Sequence, residues 1–159
     1  MKFLKALGVY LAADILCMFI NITFAALQYP MFRMLCAVCT AGIMCVMTGN
    51  FALVSAAADA KTRRASGSGK SSGAAGAFCG ILAVPALSWG TLLASMGGGS
   101  DFYRWYKIMN GAFLRVINFI EPDASSSALS TAEVMTMLPF AVIPAAVYLT
   151  VYIVKYSEK

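Results

Sequence analysis

The stretch LKALGVYLAADILCMFINITFAALQYPMFRMLCAVCTAGIMCVMTGNFALVSAA, residues 4–57, decides the fold. It holds two apolar runs, 4–27 and 31–57, parted only by Gln28, Tyr29 and Pro30. A hydrocarbon core about 30 Å thick takes about 20 helical residues per crossing, so each run is long enough to span a bilayer. Proline suits a tight turn and cannot continue a helix, so the two runs predict an antiparallel hairpin of transmembrane helices. Lys2 and Lys5 precede the first run as they would in a signal peptide. That run, however, is longer than an h-region, carries Asp14, and ends in Thr23-Phe24-Ala25-Ala26-Leu27 without a small-x-small cleavage site, so it reads as a retained span.

Two further apolar runs follow. One covers 74–96 and stops at Gly97-Gly98-Gly99-Ser100, whose backbone freedom ends a helix. The other covers 131–154 and opens on Ser130-Thr131-Ala132-Glu133, a capping box in which each side chain satisfies the other's free backbone N–H. Pro139 and Pro144 should bend its first half. Tyr148, Tyr152 and Tyr156 stack toward Lys155 and Lys159 as an interfacial anchor would. Between the second and third runs, residues 59–73 read DAKTRRASGSGKSSG, a basic Gly/Ser-rich linker with nothing to pack.

Residues 101–120 are different in kind. Arg104, Lys107, Gly111, Arg115 and Asn118 recur every three or four residues as a polar stripe on an otherwise aromatic, apolar helix. A fifth crossing would place three cations in hydrocarbon at a few kcal/mol each. The segment is therefore expected to lie in the membrane interface, Trp105 and Phe113 toward acyl chains and Arg104, Lys107 and Arg115 toward headgroups or water. Glu121-Pro122-Asp123 ends it. The expected fold is an all-α integral membrane protein, one polytopic domain over 1–159, with four transmembrane helices plus one interfacial amphipathic helix in the outer loop.

Composition agrees and narrows function. Of 159 residues 60% are hydrophobic and 12% charged, with a mean hydropathy of +0.77, more apolar surface than a soluble globule of this size can bury. The chain has no histidine and seven acidic residues, mostly outside the runs. That disfavours a metal site, a Ser-His-Asp site and enzymes in general, and no catalytic residue, metal or cofactor is expected. The net charge of +5 resides at the ends of the runs, where it reports topology rather than nucleic acid. Lys2, Lys5, Lys61, Arg63, Arg64, Lys70, Lys155 and Lys159 share one side, and Arg33, Arg104, Lys107 and Arg115 the other. With the acidic residues outside the runs counted, the sides carry +6 and 0, and Asp14 inside the first run completes the +5. Both termini are thus expected in the cytoplasm, the chain being a multi-pass protein of the inner membrane.

Candidate sites are few. Asp14 and Asn21, seven residues apart, share a helix face, and Asn50 is a third polar residue within a run. Small residues four apart let helices approach closely. Ala37, Ala41, Cys45 and Gly49 form such a line in the second run, and Gly76 and Gly80 in the third, making those two the expected central pair, within one chain or between copies. Lys61, Arg63, Arg64 and Lys70, with Arg104, Lys107 and Arg115, are read as lipid-headgroup contacts. Residues 66–71 look like the end of a phosphate-binding loop, but Arg64 stands where such a loop needs glycine and membrane runs flank it, so no nucleotide is expected.

The five cysteines all lie in apolar runs and read as reduced packing residues, except that Cys36 and Cys39 share the spacing of a redox pair near a helix start. With four spans, internal termini and an amphipathic outer helix, this pair resembles the quinone-linked oxidases of the disulfide-bond formation protein B family. The resemblance covers topology and two residues. That family has a second cysteine pair in the long outer loop and an arginine after the first pair, whereas residues 97–133 contain no cysteine and Arg33 precedes it. Three functions are carried forward: a non-enzymatic subunit or accessory protein acting through helix packing, partnered by lipids and by another membrane protein or itself; a small proton- or ion-coupled transport component using Asp14; and a membrane thiol-disulfide oxidoreductase using Cys36 and Cys39.

Overall fold

A chain in hydrocarbon must satisfy its backbone polar groups internally, which helices do within a single segment. The computed structural model, which describes residues 2–26, 29–66, 72–97, 100–123 and 129–157, is helical wherever it is regular among those residues. Helix α1 is Lys2–Thr23, extended by a 3-10 turn over Phe24–Ala26. Helices α2 (Pro30–Ser66) and α3 (Ser72–Ser95) follow. Then come α4 (Ser100–Met109), a 3-10 turn Gly111–Phe113, α5 (Leu114–Ile120) and α6 (Thr131–Ser157). Four of these, α1, α2, α3 and α6, are long and apolar enough to cross a membrane.

Helix α6 begins at the capping box as the sequence predicts. The Glu133 carboxylate accepts from the Ser130 backbone N–H at 2.7 Å and from its hydroxyl at 2.8 Å. Helix α2, by contrast, does not stop near residue 57. It runs through Asp59 to Ser66, so the first half of the expected linker is helical. Ala, Lys and Arg are strong helix formers, and Asp59 is fixed by side-chain partners. Its carboxylate pairs with the Lys2 ammonium of α1 and accepts from the Tyr152 hydroxyl of α6 at 2.9 Å. Residues 67–71, including Lys70, lie outside the described residues.

The four long helices form a ring in the order α1, α2, α6, α3, so that α2 and α3 face each other across it. The close pairs within the chain are therefore α1 with α3 and α2 with α6, and not the expected second and third runs. Gly80 explains the first pair. A Cβ there would come 2.5 Å from the Phe3 carbonyl oxygen and 2.8 Å from the Ala6 Cβ, so only glycine lets α3 lie against the start of α1. On α2, a Cβ added at Gly49 would reach Val147 and Val151 of α6 only at ordinary contact distance. The ends of the ring differ. One holds Lys2, Asp59 and Tyr152 and is called the terminal end; the other holds Thr23, Pro30, Ser95 and Thr131 and is called the loop end.

Residues 101–120 depart most from expectation. They are not one helix lying on a surface but two, α4 against α3 and α5 against α2, joined by a turn that enters the ring between α1 and α2. Trp105 and Arg104 are exposed as expected, but Lys107 and Phe113 are buried. Phe113 stacks on Phe140 of α6 with ring centroids 5.6 Å apart. The Lys107 ammonium donates to the carbonyls of Glu121 at 2.9 Å, Pro122 at 3.2 Å and Asp123 at 3.3 Å, just past the C-terminus of α5. A cation there meets the negative end of the helix dipole. Burial pushes the ammonium below the usual lysine range, while the charges of Glu121 and Asp123 act the other way.

The glycines of α3 give a paired test. Gly80→Ala forces α3 off α1 and should cost about 1–3 kcal/mol, the usual range for overpacking. At Gly76 an added methyl group would meet nothing within 4 Å, so Gly76→Ala should be neutral or should gain about 0.5–1 kcal/mol of helix stability. Thermal unfolding in mild detergent should show a lowered midpoint for the first variant only.

Candidate functional site

The inserted turn owes its path to Asn110-Gly111, a dipeptide that marks turns. Helix α4 ends because the Asn110 side chain bonds sideways: its amide donates to the Ser88 hydroxyl of α3 at 2.5 Å and to the Tyr106 carbonyl at 2.8 Å. Gly111 then passes over α1. A Cβ at this position would collide with the Met18 side chain and come within 3.1 Å of both the Asp14 carbonyl oxygen and its Oδ1. Asp14 lies near the middle of α1, so the turn reaches about half the depth of the ring.

Polar side chains of α1 and α2 receive the turn's backbone. Asn21 donates from Nδ2 to the Gly111 carbonyl at 2.8 Å and to its own helix at Cys17 O, 3.0 Å. Its Oδ1 accepts from Arg115 Nε at 3.2 Å and from the Cys36 thiol at 3.4 Å. All four hydrogen-bonding positions of this amide are occupied. The Thr40 hydroxyl is 2.8 Å from the Ala112 carbonyl oxygen and 2.9 Å from Cys36 O. Arg115 adds a second bond, Nη2 to the Asn21 carbonyl at 2.9 Å. From α4, the Tyr106 hydroxyl donates to Met137 O of α6 at 2.6 Å.

Asp14 sits beneath this arrangement with one orphaned atom. The turn passes beside its carboxyl at Gly111, yet Oδ1 makes no hydrogen bond. The side-chain oxygen of Asn110 is likewise buried and unpartnered. Among the described residues no three of His, Cys, Asp or Glu gather as a metal-binding group. What the arrangement can do is hold an irregular backbone segment inside an apolar bundle and keep one carboxyl beside it.

The predicted site residues divide accordingly. Asp14 and Asn21 share the side of α1 that meets the turn, and the half-buried Arg115 bonds to Asn21. Asn50 is exposed on the far side of α2. Cys36 points inward to Asn21 while Cys39 is exposed, and both are free thiols. Ala37, Ala41, Cys45 and Gly49 line the partly buried side of α2, and Gly76 is open. Lys61, Arg63 and Arg64 are exposed on the overhang of α2, with Arg63 lying 4.8 Å over the Tyr156 ring. Arg104 is exposed and lies 3.6 Å from Asp101. Nothing in the sequence groups Thr40, Ser88 and Asn110, because residues so far apart along the chain show no common depth until the helices are packed. The Asn110-Gly111 pair was the available signal.

Thr40→Val keeps the side-chain shape and removes the bond to Ala112 O. It should lower stability by about 0.5–2 kcal/mol, the range for hydrogen bonds in membrane interiors. In a cysteine-free background, a cysteine at Ala112 should resist a water-soluble maleimide and should become reactive when Asn21→Leu removes the anchor. Equal labelling with and without Asn21 would show that the turn is not held in the bundle. No protein-family model matches the chain, and neither a curated protein nor a solved structure matches it, so its function is read from the geometry of its own residues.

Proposed function

We propose that the protein is a non-enzymatic subunit or accessory protein of the inner membrane that acts through helix packing, with the terminal end in the cytoplasm. The carrying observation is that Asn21, Thr40, Asn110 and Arg115, which could otherwise serve chemistry inside the bundle, are engaged in holding the inserted turn. The charge excess at the terminal end supports the orientation. The outward faces of α1 and α2, with Ile15, Phe19, Val38, Val46 and Val54 exposed, suit lipid and a neighbouring membrane helix. Phe102, Trp105 and Ile108 of α4 are exposed and suit the outer membrane surface, the part of the expected interfacial helix that this reading keeps.

Affinity purification in mild detergent after chemical crosslinking tests the role. A stoichiometric membrane partner or a second copy should co-elute, and recovery as a lone chain would overturn the reading. Reporters fused after residue 159 should lie in the cytoplasm and one inserted near residue 126 outside; export of the C-terminal fusion would overturn the orientation.

The orphaned oxygens of Asp14 and Asn110 favour a second reading, a small proton- or cation-coupled component. Asp14→Asn separates the two, since Asn keeps the size of the carboxyl and cannot exchange a proton. On the packing reading the variant should express, assemble and retain its crosslinked partner as the parent does. Retained assembly with lost transport in proteoliposomes would transfer the function to Asp14.

A further inference from the structure

Between the first turns of α2 and helix α5 lies a groove of about 570 Å³, separate from the inserted turn. Its size falls in the range of small-molecule sites, about 300–1,000 Å³. Met34, Val38, Val116 and Phe119 make most of its wall apolar, and Phe119 is 91% exposed at the rim. Asn118 and two guanidinium groups, Arg33 from α2 and Arg115 from α5, break that wall. No carboxylate among the described residues lies within ion-pair distance of either. Arg115 is held in place by its two bonds to Asn21, through Nε and Nη2, which leaves Nη1. Arg33 stands in the first turn of α2, and Arg115 is level with the last turn of α1, so both are at the loop end. Val38 lies five residues further along α2, about 7 Å deeper.

We propose that this groove binds one molecule of an anionic phospholipid, its phosphate between Arg33 and Arg115 and an acyl chain along Met34, Val38 and Phe119. The site joins a doubly cationic mouth to an apolar channel, and such a lipid joins an anionic phosphodiester to a hydrocarbon chain in the same order. The pair suits phosphate because Arg33 offers a whole planar fork and Arg115 adds the donors of its remaining Nη1. A second copy docking through the same face about a two-fold axis would set four guanidiniums together without a carboxylate, which charge repulsion opposes. The inference needs the loop end to lie at a membrane surface, but not the subunit role.

The test uses the full chain, delipidated in detergent and titrated with phosphatidylglycerol in mixed micelles, with bound lipid counted by native mass spectrometry. One phosphatidylglycerol should be retained, more tightly than phosphatidylcholine. Arg33→Gln should weaken it about five- to tenfold, the effect of one cation near an anionic headgroup. Val38→Trp, a change at an exposed position that fills the channel, should abolish retention, while Arg104→Gln should leave it unchanged. Inorganic phosphate should not displace the lipid. Wild-type retention in both Arg33→Gln and Val38→Trp would overturn the proposal, as would displacement by phosphate alone, which would make the site a plain anion site. A dimer that Val38→Trp dissociates would assign the groove to a second copy instead.

Discussion

Two backbone carbonyls, Gly111 O and Ala112 O, set the terms for the loop half of the molecule. Within the inserted turn the Leu114 N–H gives Gly111 O one bond, and a peptide group left short of partners in hydrocarbon costs several kcal/mol. Asn21 of α1 meets one and Thr40 of α2 the other, both within 2.8 Å. These bonds fix α1 against α2 at that depth as firmly as they fix the turn. They also give Asn21 and Thr40 a structural explanation. Irregular backbone at membrane depth is tolerated where protein buries it, and here the burying protein supplies the donors.

The terminal end is secured by a different device. Asp59 joins three helices at one point, pairing with Lys2 of α1 and accepting from Tyr152 of α6 while belonging to α2 itself. A carboxylate shared by a cation and a phenol is held more firmly than a surface ion pair, since its exposure is small and both partners are positioned by helices. Near the same end, the close approach of α3 to the start of α1 at Gly80 needs only the absence of a side chain. The bundle is thus secured by polar groups at two levels, with α2 and α3 on one diagonal of the ring.

The four long helices were legible because their signal is local: about 20 apolar residues in a row announce a span whatever packs beside it. The capping box at Ser130 and Glu133 was legible for the same reason. The overhang of α2 was not, because Gly and Ser after residue 66 coloured the reading of the helix-forming residues before it, and the tertiary partners of Asp59 come from α1 and α6. Nor was the inserted turn. A polar stripe at helical spacing points equally to water and to buried polar partners. Lys107 and Arg115 took the second course because the carbonyls past α5 and the Asn21 amide were waiting for them. Asp14 and Asn21 could be found as a pair from their spacing, but the reason for the pairing sits 90 residues away from Asn21.

That separation has a consequence for how the protein is made. Helices α1 and α2 leave the ribosome well before the segment that fills the slot between them, and at about 5–20 residues per second the gap between Asn21 and Gly111 corresponds to roughly 5–20 s. Through that interval Asn21 and Thr40 have partners in the first two helices, Cys17 O and Cys36 O, while Gly111 and Ala112 are not yet synthesised. The last bonds made to the first hairpin therefore form only after most of the chain has been synthesised.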